Sequence, residues 1–121
     1  MARKTTIYLV EIREACDALR AFTEGMDLAA YRASRLVRSA VERELILIGE
    51  VIERISQIDP RVGQSLVMAG PIVQCYHYLL HPEGPIHDDQ VFELARSPDL
   101  FSLREVVSLL LEELGDSAGE A

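Results

Sequence analysis

Apolar residues recur along this chain at intervals of three and four, and no run alternates apolar with polar over the length of a strand. Tyr8, Ile12, Ala15, Cys16, Leu19 and Phe22 line one face of a first helix, which Glu24-Gly25 ends. Asp27 suits the N-cap of a short helix carrying Leu28, Ala30 and Tyr31. The longest periodic stretch runs from about Arg35 to Ser56 behind a Ser34 N-cap. Val37, Val41, Leu45, Ile48, Ile52 and Ile55 form one stripe of it, and Ala40, Leu47 and Val51 form a second, offset stripe. A helix with two apolar faces sits at the centre of a bundle or serves both a core and a dimer interface. Gly49 interrupts this helix at a cost of about 1 kcal/mol against Ala, which points to close approach of another helix.

Asp59-Pro60 reads as an N-cap and first-turn proline for a helix with Val62, Leu66, Val67 and Met68. Gly70-Pro71 restarts the chain into the segment PIVQCYHYLLHPEGP. Asp88 and Asp89 suit the cap of a short helix with Val91, Phe92 and Leu94. Ser97-Pro98 opens a last helix burying Leu100, Leu103, Val106, Val107, Leu110 and Leu114. Gly115 is expected to end it, leaving 116–121 as a polar, frayed tail. The expected fold is all-α: an up-and-down bundle of three to four long helices plus short connecting helices, one domain over 1–115. The surplus apolar surface on the long helices predicts a homodimer.

Composition narrows the function. The formal charge is −8, so bulk attraction to nucleic acid or to an anionic membrane is not expected. A nucleic-acid role would rest on a local patch, and Arg32, Arg35, Arg38 and Arg43 supply one candidate; the alternative is a solvated face with Glu42 and Glu44 interleaved. Apolar runs such as Leu45–Ile48 are too short to cross a bilayer. Cys16 and Cys75 fall inside helical patterns and, with no apolar leader, read as free thiols in a reducing cytoplasm.

The chemistry-bearing residues cluster in the segment after Pro71. His77 and His81 lie four apart on one helix face, and Pro82-Glu83-Gly84-Pro85 breaks the helix so that His81 stands at its C-terminal rim. An imidazole at such a rim is a candidate for proton transfer. The pair also has the spacing of two metal ligands, with His87, Asp88 and Asp89 following. No cysteine is placed to join them and there is no H-E-x-x-H, so neither metal nor cofactor is expected. Glu50 and Arg54 form an i, i+4 pair.

The order of these residues resembles the HepT-like proteins, a branch of the all-helical HEPN superfamily, from about Tyr8 to Leu114. Phe22-Thr23-Glu24-Gly25 is similar to the family's "yT-G". The run from Val37 to Arg43 followed by Ile48-Gly49-Glu50 is similar to "R-AV-R-L—IGEA", Ile55-Ser56 to "-LS", Val91-Phe92-Glu93 to "VWE" and Asp99-Leu100 to "DLP-L". The resemblance implies a homodimeric, metal-independent ribonuclease of the toxin type, neutralised by a nucleotidyltransferase antitoxin (MntA-type). The family signature is Arg-Asn-x-x-x-His-x-Tyr, in which the Arg and His act on the scissile phosphate and the antitoxin modifies the Tyr. Aligned without gaps, His81 falls on the catalytic His, Tyr76 on the Arg, His77 on the Asn and Glu83 on the modified Tyr. A second register puts His77 on the catalytic His, with Ile72 at the Arg position and a gap before the later match.

Arginine gives phosphate a permanent charge and a two-pronged donor, and tyrosine gives one neutral donor. Losing such a group costs about a hundredfold to a thousandfold in rate. The resemblance therefore leaves two readings open: an RNA endonuclease weakened at Tyr76, and an inactive helical module that dimerises and binds the nucleotidyltransferase. His81, His77 and Tyr76 are the expected catalytic positions. Glu83 is the expected regulatory position, and the family's IGE glutamate places Glu50 in the groove between subunits. Arg38 is expected with Glu83 and Glu50 as a groove-lining or regulatory residue, and the arginine patch is the candidate contact for RNA.

Overall fold

The computed structural model describes the backbone of residues 2–120 and the side chains of residues 3–115. Its helices are α1 (Ala2–Thr23), α2 (Leu28–Ala33), α3 (Arg35–Ile58), α4 (Pro60–Ser65), α5 (Gly70–Leu80), α6 (Asp88–Ala95) and α7 (Pro98–Glu120), with a 3₁₀ turn at Val67–Ala69. No strand occurs among the described residues. The fold is the expected all-α bundle. α3 is its spine, packed against α1 and α5, and α7 lies along α1.

Local chemistry sets most of the element ends. Gly25 takes φ +73°, the left-handed conformation that stops α1. Asp27 Oδ1 accepts the Ala30 N–H at 2.8 Å, and Ser34 Oγ accepts the Val37 N–H at 3.2 Å, capping α2 and α3. Asp59 caps α4 through Val62 N–H at 3.3 Å, and its other oxygen accepts from the Thr5 hydroxyl at 3.4 Å, which ties the start of α1 to this corner.

Burial follows the predicted stripes on α3: Val41, Leu45, Ile48, Ile52 and Ile55 are in the core, and Val51 of the second stripe joins them. They meet Leu9, Ile12, Ala15, Cys16 and Leu19 of α1, Ile72 and Leu79 of α5, and Leu100, Leu103 and Val107 of α7. No helix among the described residues is long and apolar enough to cross a membrane.

Several local expectations are corrected. Phe22 is exposed, and Thr23 takes the buried place, its hydroxyl donating to the Leu19 carbonyl at 2.8 Å. A threonine that satisfies its own hydroxyl one turn back can occupy a core position. The helix expected from Pro60 through Met68 breaks after Ser65 into the 3₁₀ turn, which leaves Val67 exposed while Leu66 and Ala69 are buried. His87, not Asp88 or Asp89, occupies the N-cap of α6; the two carboxylates sit in its first turn, where they complement the helix dipole. The Ser97 hydroxyl donates back to the Leu94 carbonyl at 2.7 Å instead of capping α7. α7 passes Gly115 and continues to Glu120. The side chains of the expected tail, 116–121, lie outside the described residues.

Candidate active site

Helix α5 carries the histidines because its start and end are dictated locally. Gly70-Pro71 opens it with proline in the first turn, and His81 closes it as C-cap, its N–H donating to the His77 carbonyl at 3.1 Å. The loop 81–87 then folds back. The Tyr78 hydroxyl accepts the His87 N–H at 2.8 Å, and the Tyr78 and His87 rings stack with centroids 6.4 Å apart and planes 12° apart. The result is an open groove of about 630 Å³ lined by His77, Tyr78, His81, Glu83, Gly84, Pro85 and His87. All three histidines of the chain therefore face one space.

Within this groove the histidines differ. His77 Nε2 lies 2.9 Å from Glu53 Oε2 on α3, so a carboxylate fixes one edge of that ring. His81 forms no side-chain hydrogen bond or ion pair among the described residues, and its ring is exposed. Glu83 is exposed on the groove wall. No group of three or more His, Cys, Asp or Glu among the described residues is arranged to hold a metal ion.

Tyr76 is not a groove residue. It lies against α3 at Gly49, where a Cβ would come within 2.2 Å of the Tyr76 Cβ, and its ring tilts at 47° to that of His77, 4.9 Å away. The close approach expected at Gly49 is thus made by α5. Glu50 also stays out of the groove lining and pairs with Arg54 at 2.7 Å, as its spacing predicts. The Arg38 guanidinium donates to the Arg32 carbonyl at the α2–α3 corner and is not among the groove-lining residues. Arg32 and Arg35 are exposed at this corner, and Arg43 is exposed further along α3.

Two residues with a bearing on the site were not visible as such in the sequence. Glu53 is 24 positions from His77, and only the packing of α3 on α5 brings them together. Arg54 read as a surface ion pair, yet interaction with the Tyr8 side chain, then with Glu50, and more weakly with Tyr76, holds its charge above the usual arginine range. Arg54 therefore sits on α3 against Tyr8 of α1 as well as Glu50. The i, i+4 spacing of Glu50 and Arg54 was the available signal, and it could not report the third partner.

Residues 12–71, about half the chain, match the family described as ribonuclease HepT-like. Over this span the chain belongs to the HepT-like family. The match runs from Ile12 on α1 to Pro71 at the start of α5, so it covers the scaffold on which the groove is built. It stops short of Tyr76, His77 and His81, so the match does not reach the residues expected to carry the signature. No curated protein and no solved structure matches the chain.

Proposed function

We propose that this protein is the toxin-type subunit of a toxin–antitoxin pair: a HepT-like homodimer with weak ribonuclease activity, held in check by a MntA-type nucleotidyltransferase. The observation that carries this reading is His81 standing unpaired in a groove beside a carboxylate-fixed His77, on a HepT-like scaffold.

The chemistry suited to this pair is transesterification within RNA. One imidazole takes the proton of a 2′-hydroxyl as its oxygen bonds to the adjacent phosphorus. The other gives a proton to the 5′-oxygen as its bond to phosphorus breaks, leaving a 2′,3′-cyclic phosphate and a 5′-hydroxyl. His81 has both ring nitrogens available for this exchange. Glu53 occupies Nε2 of His77, which fixes the ring and leaves Nδ1 to face the substrate. The rate is low because no guanidinium among the described residues lines the groove, while Glu83 on its wall repels phosphate. In the homodimer the two copies of α5 face each other across the shared groove. The exposed arginines at the α2–α3 corner hold the flanking RNA.

The second reading, an inactive module that dimerises and binds the nucleotidyltransferase, draws on the same Glu53–His77 contact, which gives His77 a purely structural use.

Incubating the pure protein with a mixed RNA pool separates the two. Cleavage that leaves cyclic-phosphate ends and disappears in His81→Ala is expected. Equal behaviour of the parent and the variant, both in the tube and in growth arrest on induced expression, would establish the inactive module instead. Light scattering tests the dimer, and co-purification with a co-expressed nucleotidyltransferase tests the partner.

A further inference from the structure

The end of α1 and the α6–α7 junction border a cavity of about 390 Å³. Its wall includes Arg20, Arg96, Arg104 and Phe101, with Cys16 and Thr23 on its floor. It shares no lining residue with the histidine groove. The chain has twelve lysines and arginines against twenty acidic residues, yet three arginines converge here, facing only Asp17 and Glu24 among the carboxylates of the wall.

Two of the three are held in place by contacts that leave donors over. Arg104 spans from α7 to α1, with Nε 2.5 Å and Nη2 3.4 Å from the Asp17 carboxylate. Arg96 donates through Nη1 to the Met26 carbonyl at 2.8 Å, and its guanidinium carbon lies 5.3 Å from the centre of the Phe92 ring. Each guanidinium has five N–H donors, and these bonds use only a part of them. Arg20 forms no ion pair among the described residues. Phe101 is 61% exposed at the same rim, a large aromatic face that the core does not use.

Prefixed guanidiniums suit a phosphate, because their planar forks match its oxygens and little side-chain entropy is left to lose. An exposed ring suits a nucleobase, since stacking needs only a π-face. The cavity falls within the size range of small-ligand sites, roughly 300–1,000 Å³. We propose that this cavity binds a mononucleotide, its phosphate on Arg20, Arg96 and Arg104 and its base against Phe101.

Calorimetric titration of the full chain tests this with AMP, adenosine and inorganic phosphate as separate probes. AMP binds; adenosine, lacking the phosphate, and phosphate, lacking the base, each bind at least about tenfold more weakly. Arg20→Ala weakens AMP about tenfold with an unchanged melting temperature, since Arg20 is exposed and holds no other helix. Phe101→Ala weakens AMP and leaves phosphate as it was. Absence of AMP binding, equal binding of AMP and adenosine or of AMP and phosphate, or an Arg20→Ala variant that binds like the parent would each overturn the assignment. The readout is binding alone, so it stands or falls independently of RNA cleavage.

Discussion

A methyl group on Gly49 would sit 2.2 Å from the Cβ and 2.5 Å from the Cγ of Tyr76. These atoms lie at the root of the side chain, where no rotamer change can move them clear. Helix α5 therefore rests on α3 at a point that only glycine permits, and the next α5 residue, His77, meets Glu53 one turn further along. Gly49→Ala forces the two helices apart. Overpacking of this kind costs about 1–3 kcal/mol, more than the roughly 1 kcal/mol that alanine returns in helix propensity. A lower urea midpoint is expected; a higher one would mean that α5 does not press on Gly49.

Tyr31 offers the opposite case. Its ring is fully buried and stacks on Phe92 with centroids 4.9 Å apart, while its hydroxyl has no hydrogen-bond partner among the described residues. Tyr31→Phe keeps the ring and removes a stranded polar group. The variant should be as stable as the parent or gain up to about 1 kcal/mol. A clear loss on thermal unfolding would show that the hydroxyl is bonded after all.

Glu42, on the spine beside Asp88 and Arg38, makes stability depend on pH. Burial, then the Asp88 carboxylate, raise its carboxyl above the ordinary glutamate value, with Arg38 opposing. The folded chain thus holds this proton more tightly than the unfolded chain does. Its contribution to stability is intact below the unfolded value and is lost as pH rises through the folded one. Glu42→Gln should melt higher than the parent at neutral pH, with the gap closing in acid where Glu42 is protonated in both states. A gap that stays constant across that range would contradict the shift.

The two thiols should resist alkylation. Burial, then Glu42, push Cys75 up to about 11, and burial, then Asp17, push Cys16 up to about 12 against the pull of Arg104. In mildly alkaline iodoacetamide both react slowly in the native protein. Cys75, only half-buried, reacts before the buried Cys16, and in urea the two rates converge. Peptide mass spectrometry gives the order; Cys16 labelled first would place it outside the core.

The helices, most of their ends and the two-faced spine follow from the amino-acid order alone, because a 3.6-residue period and a capping side chain act over one or two turns. Ser34, Asp27, Asp59 and Gly25 do in the fold what their neighbours in the chain prescribe. The His77–His81 spacing and the rim position of His81 were legible for the same reason, as was the HepT-like run on α3. A period marks a helix face without saying what meets it. Only the packing of α3 on α5 decided that Glu53 fixes His77 and that Tyr76 seals against Gly49, outside the groove. Only the docking of α7 and the α6–α7 junction on α1 joined Arg104 to Asp17, 87 positions away, and Arg96 to Met26, 70 positions away. Such contacts depend on how far each helix is rotated and slid against its neighbour, which is set by the fit of all side chains at once and by no single stretch of sequence.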